Sequence, residues 1–168
     1  MVDRYIWDNN ICLDLLLKRF ESNPDIGVLY LLFQKKKFKI FISNSQLNTI
    51  QYIFFSKSKQ DNVLREHFIQ LWNSFLTLVD IIKTPSYIDF QNDLAQKDLE
   101  DYLISLSAES INTKIITSDK SFLKNYPNSI TTQQAIEEIS QNRDDSGKFL
   151  DLEKINFEYR IETQKAID

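Results

Sequence analysis

Glycine is nearly missing: of 168 residues only Gly27 and Gly147 are glycine. A phosphate cradle of the P-loop or dinucleotide type needs several glycines at fixed offsets so that backbone amides can approach the phosphate, and neither pattern can be written here. Serine nucleophile elbows fail for the same reason, and histidine-based triads fail because His67 is the only histidine. It sits in Val63-Leu-Arg-Glu-His-Phe-Ile-Gln-Leu-Trp72, a helix-spaced apolar pattern that makes it a structural or surface residue. Cys12 is the single cysteine, which excludes an intramolecular disulfide and a spaced zinc site and suits a reducing cytoplasm. The longest apolar run, Ile26 to Phe33, is far too short to span a bilayer. Charges within the first four residues leave no signal-peptide core. The expectation is a soluble cytoplasmic protein with no membrane partner.

The net charge of -4 provides no global attraction to nucleic acid. A local patch can still supply one, because carboxylates gathered at a metal site pull the total negative. Lys35, Lys36, Lys37 and Lys39, with Lys57 and Lys59, are the local candidates, although a solvated charged rim is the first reading of such lysines.

What the chain does have is apolar segments alternating between strand and helix periods. Asp3 to Trp7 reads as a buried strand, followed by a helix over Ile11 to Phe20 and another from Pro24 through Leu32 to the lysines. Lys37 to Ile42 reads as a strand, and Ser43 or Asn44 caps a helix carrying Leu47, Ile50, Ile53 and Phe54. A helix from Gln60-Asp61 to Leu78 leads to a strand over Val79 to Lys83, stopped by Thr84-Pro85. Helices are expected through Ile88 to Leu94 and from Asp98 to Ser110, the latter burying Leu99, Leu103, Leu106 and Ala108. A strand at Lys114 to Thr117, a short helix at Ser121 to Lys124, a strand at Ser129 and a helix over Thr132 to Ile139 close the pattern. Such alternation implies an α/β fold with a mainly parallel sheet.

Three carboxylates stand where apolar runs stop or helices begin. Asp8 follows Tyr5-Ile6-Trp7, Asp101 opens Asp101-Tyr-Leu-Ile-Ser-Leu-Ser-Ala108, and Asp119 ends Lys114-Ile-Ile-Thr-Ser. In an open parallel sheet the carboxyl ends of neighbouring strands face one crevice, so acids there can converge. Clustered carboxylates repel one another and call for a hard, oxygen-seeking cation such as Mg²⁺ or Mn²⁺. The competing reading is that Asp8 and Asp119 cap helices, and that the run Asp98-Leu-Glu-Asp101 answers the helix dipole.

The order strand-Asp8-Asn-Asn10-Ile-helix, then Asp101 to Ala108, then Ile-Ile-Thr-Ser-Asp119-Lys-Ser-Phe122 resembles a PIN domain, the fold of VapC-type toxins and related metal-dependent ribonucleases. The resemblance covers residues 1–140 and implies a three-layer α/β/α domain with a mainly parallel central sheet. It implies metal ligands at Asp8, Asp101 and Asp119, an orienting role for Asn10, and hydrogen bonds to the site from Thr117 and Ser118. Phe122 corresponds to packing. The family's further acid, on the helix after the second strand, aligns with Thr49, and threonine supplies no charged ligand. Asp98, three residues before Asp101 and on the same helical face, is preferred over Glu100 as the substitute. The activity so implied is hydrolysis of RNA phosphodiester bonds by one or two Mg²⁺ or Mn²⁺ ions, on single-stranded RNA, by a toxin of a toxin–antitoxin pair. The implied partners are an antitoxin or other protein and a second copy of the chain. The alternative is a PIN-like module, degraded through Thr49, that docks RNA or protein.

Residues 141–168 read as a polar linker and an amphipathic C-terminal tail. Lys148-Phe-Leu-Asp-Leu onward resembles the opening segment of DegT-type sugar aminotransferases, without any of that family's cofactor machinery. A fusion or truncated reading frame, a docking helix and a helix folded back on the domain all fit this tail.

Overall fold

The computed structural model describes residues 4–20, 23–36, 39–60 and 65–141. Five short strands form the sheet: β1 (Arg4–Trp7), β2 (Lys39–Ser43), β3 (Val79–Ile82), β4 (Lys114–Ile116) and β5 (Ser129–Ile130). Their order is β3-β2-β1-β4-β5 and every neighbouring pair is parallel. Parallel strands need crossovers, and helices supply them. α1 (Asn9–Leu16) and α2 (Pro24–Lys36) join β1 to β2, and α3 (Asn44–Gln60) and α4 (Arg65–Leu78) join β2 to β3. α5 (Asp93–Lys97) and α6 (Leu99–Ser110) lead to β4, α7 (Lys120–Asn125) to β5, and α8 (Thr132–Gln141) follows.

The alternation along β1 sorts the core into two layers. Tyr5 and Trp7 face the larger cluster, which takes Ile11, Leu29, Leu32, Phe54, Trp72 and Ile139 from the helices. Ile6 faces the smaller one, with Ile104 and Ala108 of α6, Ile115 of β4, and Phe122 and Tyr126. Rings carry much of the packing. Phe33 meets Trp7 edge-on at 5.2 Å between centroids, and Phe54 sits 4.9 Å from Phe68. The result is an α/β/α sandwich with a parallel sheet, as the α/β pattern and the family resemblance together imply.

With so little glycine, other residues take the left-handed turns. Lys18, at φ 51°, ends the first helix at Leu16, four residues before the expected Phe20. Asn112, at φ 49°, closes a Schellman motif after α6, in which Thr113 N donates to Ala108 O and Asn112 N to Glu109 O, both at 3.0 Å.

Other expectations need correction. Ile88 to Leu94 is not a helix: Asp89 Oδ1 accepts from Gln91 N and Asp89 O from Asn92 N, a local turn that competes with helical hydrogen bonding. Asn92 then caps the short α5. Leu99, expected inside, is 42% exposed, and α6 turns Tyr102, Ile104, Ser105 and Ala108 inward, with Leu103 and Leu106 half-buried. Asp98 is the cap, so Leu99 falls in the first turn, ahead of the packed stretch. Residues 37–38 and 61–64, where the second strand and fourth helix were expected to begin, lie outside the described residues.

Ser43 and Gln46 form a reciprocal capping box at the start of α3. Gln46 N donates to Ser43 Oγ at 3.3 Å and Ser43 N to Gln46 Oε1 at 2.9 Å. Fully buried, Gln46 also donates from Nε2 to Trp7 O at 2.9 Å, tying β1 to β2 past the last strand pair. Gln46→Leu leaves the Ser43 amide and the Trp7 carbonyl without these partners, at about 1–3 kcal/mol each. Urea unfolding is expected to give a loss of about 2–4 kcal/mol with an unchanged m-value; a loss within error of zero would refute this role.

Candidate active site

The chain runs from β1 outward through β2 to β3, then returns to build β4 and β5 on the other side, so the strand order reverses between β1 and β4. That switch point opens a crevice at the carboxyl edge of the sheet. Asp8 follows β1 directly, and its N–H continues the ladder to Ile116 O at 3.0 Å. Asp119 follows β4 by three residues and caps α7.

Thr117 joins them. Its side chain is fully buried, and its hydroxyl donates to Asp8 Oδ2 at 2.6 Å. The same oxygen accepts from Asp119 N at 3.0 Å and from Asn10 Nδ2 at 3.4 Å. Asn10 Oδ1 accepts from Ser118 N at 3.5 Å, the outer limit of a hydrogen bond. Asn10, Thr117 and Ser118 thus form one polar bridge between the two strand ends.

Asp8 is 5% exposed. Its Oδ1 accepts from Asn9 N at 2.6 Å. Burial pushes its carboxyl up to about 6; the hydrogen bonds from Thr117 and Asn9 oppose the rise, and the charges of Asp119 and Glu100 add to it. Asp101, half-buried in the first turn of α6, is pushed up to about 7 by burial first, then by Asp98, Asp8, Asp119 and Glu100. Its side chain makes no hydrogen bond among the described residues. The sequence-selected acids Asp8, Asp101 and Asp119 therefore lie within one another's field. They carry no ion pair among the described residues, whose cation–carboxylate pairs Arg19–Asp14, Lys39–Asp80 and Lys114–Glu138 involve other acids.

Asp98 and Glu100 both act on the crevice. Asp98 Oδ1 accepts from Glu100 N at 3.0 Å and Asp101 N at 3.1 Å, capping α6, and its charge acts on Asp101. Glu100 acts on both Asp8 and Asp101. Thr49 is half-buried on α3, one turn beyond Gln46 and on the same helical face. Gln46, which reaches Asn9 Oδ1 at 3.3 Å, was not singled out by the sequence reading, although Ser43-x-x-Gln46 is a capping-box signature. Tyr126 was missed as well. Its phenol is pushed up to about 12 by burial and then by Asp101 and Asp98, and its ring packs on Phe122 at 4.5 Å.

The donor chemistry suits a hard divalent cation: carboxylate oxygens in mutual repulsion, with hydroxyl and amide support. The side chains are not closed around one. Among the described residues no three acids, histidines or cysteines are gathered into a metal-holding group. Both Asp8 oxygens and Asp119 Oδ1 are engaged in hydrogen bonds, the latter from Ser121 N and Phe122 N at 2.6 and 3.1 Å. Binding an ion requires side-chain rotation, and the Asp101 carboxylate has no hydrogen bond among the described residues to hold it in place.

No family model matches the chain and no curated protein matches it. Solved structures do. PAE2754 from Pyrobaculum aerophilum aligns at TM-score 0.55 and 12% identity over 84% of this chain and 100% of that chain, a likeness of fold. VapBC2 from Rickettsia felis, solved bound to a DNA fragment from their promoter, aligns at TM-score 0.56 and 28% identity over 76% of this chain and 96% of that one. With its five-stranded parallel sheet between helical layers, the fold is PIN-like. Among the described residues no helix is long and apolar enough to cross a membrane. The tail from Lys148 lies outside the described residues, and these comparisons lend no support to its likeness to DegT-type aminotransferases.

The raised carboxyls make stability depend on pH. Unfolded, Asp8 and Asp101 ionise near 3.8; folded, they hold their protons to about 6 and 7. The folded state binds more protons through that window, so stability falls as pH rises from about 4 to about 7 and levels off above it. Melting temperatures of the metal-free protein are expected to follow this slope. Asp8→Asn should flatten it and melt above wild type at pH 8; a variant less stable than wild type at pH 8 would contradict the burial penalty assigned to Asp8.

Proposed function

We propose that this protein is a Mg²⁺- or Mn²⁺-dependent endoribonuclease that hydrolyses RNA phosphodiester bonds, acting in the cytoplasm as the toxin of a toxin–antitoxin pair. What supports the reading is that Asp8, Asp101 and Asp119 stand at helix starts around the switch point of a PIN-like sheet and act on one another electrostatically, with no ion pair among the described residues. The likeness to VapBC2 supports an antitoxin as protein partner.

When bound, a divalent cation would supply a water of lowered pKa and neutralise charge on the scissile phosphate. Asp8, Asp101 and Asp119 would hold it. The Thr117 hydroxyl and the Asn9 amide fix the Asp8 carboxylate in one orientation. Asp119 keeps Oδ2 available while Oδ1 caps α7. Asn10 and Ser118 brace Thr117 from the solvent side. Glu100, whose charge reaches both Asp8 and Asp101, is better placed than Asp98 to replace the acid missing at Thr49.

One observation favours a second reading, a PIN-like module that binds RNA or protein without cutting. Thr49 stands where an acid is expected, and the carboxylates are not drawn into a metal-holding group among the described residues.

The deciding experiment is Mn²⁺-dependent cleavage of a mixed single-stranded RNA pool, with Mn²⁺ binding followed by calorimetry. Wild type is expected to bind and cleave, and Asp8→Asn and Asp119→Asn to lose at least a hundredfold in rate. Glu100→Gln should lose more than Asp98→Asn. Metal binding without cleavage would support the second reading, and a folded wild type that neither binds nor cleaves would sink the enzyme.

A further inference from the structure

The segment from Lys83 to Asn92 leaves the carboxyl end of β3 and leads through α5 to the acids at the start of α6. It exposes two aromatic rings, Tyr87 at 80% and Phe90 at 66%. A single exposed ring is ordinary on a protein surface, whereas two on one short segment are the beginning of an apolar patch of the kind interaction sites use. This chain is not slack. At one end Thr84 N donates to Asn44 Oδ1 at 2.9 Å and Thr84 Oγ1 reaches Ser45 Oγ at 3.1 Å, which pins the segment to the first turn of α3. At the other end the Asp89 turn sets Phe90, whose carbonyl accepts from Gln96 Nε2 at 3.2 Å. α5 is anchored in turn, since Leu94 packs against the core beneath α6.

The charges follow a related division. At the amino edge of the sheet, Lys39 pairs with Asp80 and Lys114 with Glu138. Along the aromatic segment and the crevice rim, Lys83, Lys97 and Lys120 are exposed and have no ion pair among the described residues. Cations without an ion pair among the described residues and exposed rings thus flank a cluster of acids that would by itself repel a polyanion, with Asp89 and Asp93 the acids of the segment itself.

We propose that the Lys83 to Lys97 segment is a binding platform for single-stranded RNA, with bases stacked on Tyr87 and Phe90 and phosphates met by Lys83 and Lys97. It rests on the nuclease reading in that it delivers the strand to the same acids. Rings carried on a backbone pinned at Thr84 and at the Asp89 turn cost less to order on binding than rings on slack chain, and stacking on them tolerates any base, provided that the base is unpaired. A duplex keeps its bases stacked inside and cannot use the rings.

The test is fluorescence anisotropy of a short labelled oligoadenylate, and of an RNA duplex of equal length, in EDTA so that no cleavage intervenes. Stacking strengths of this kind correspond to roughly a tenfold loss of single-strand affinity for each of Tyr87→Ala and Phe90→Ala. Tyr87→Phe and Phe90→Tyr keep a ring and should bind as wild type does. Lys83→Gln and Lys97→Gln should each flatten the slope of log affinity against log salt by about 0.7. Unchanged affinity in both alanine variants overturns the platform and assigns the rings to a protein partner; an equal loss on the duplex overturns it too. Ring-dependent binding by a protein that never cleaves RNA with Mn²⁺ upholds the platform and sinks the nuclease.

Discussion

A carboxylate buried at the end of the central strand is the constraint around which this protein is arranged. Asp8 cannot be solvated where it lies, and two short hydrogen bonds, from the Thr117 hydroxyl and the Asn9 amide, only partly offset the burial. The first exists because β1 and β4 pair in register, which sets Asp8 beside Thr117 directly beyond Trp7 and Ile116. Asp119 and Glu100 then act on a group that is already costly to ionise. The strain is electrostatic rather than steric, and it is of the kind that a bound cation relieves.

Capping and site-building are done by the same residues. Asp8, Asp98 and Asp119 each accept backbone N–H groups at the start of a helix, where the dipole favours an anion. Capping was the competing explanation for these positions, and the structure shows all three as caps. The cap anchors the carboxylate, and the helix start aims it at the sheet edge. A chain with two glycines has few other ways to turn sharply between strand and helix, and polar caps at the strand ends perform that task here.

Most of the architecture could be read from periodicity. β1, α2, α6, β4 and α8 fall where the apolar spacing puts them, because each buries a face that is continuous in sequence. The failures share a cause. Between Lys83 and Asp93 the apolar residues Tyr87, Ile88 and Phe90 mimic a helical face, yet side-chain-to-backbone bonds from Asp89 and Asn92 hold a turn. Leu99 looks like core by spacing and stands exposed, because the Asp98 cap starts the helix one residue before it. Gln46 escaped notice since its partners, Trp7 O and Asn9 Oδ1, are distant in the chain.

The sequence by itself determined the class of the fold, the order of its acids, and the exclusion of a histidine-based triad, an intramolecular disulfide and a glycine-rich phosphate loop, because these depend on residue type and local period. Only tertiary structure decided which acids feel one another. Glu100 rather than Asp98 enters the field of Asp8, since that depends on how α6 is set against β1 and on which carboxylate the cap consumes. Strand pairing likewise brings Thr117, 109 residues away in sequence, to Asp8. Register and crossover geometry are properties of the assembled sheet, and no local pattern carries them.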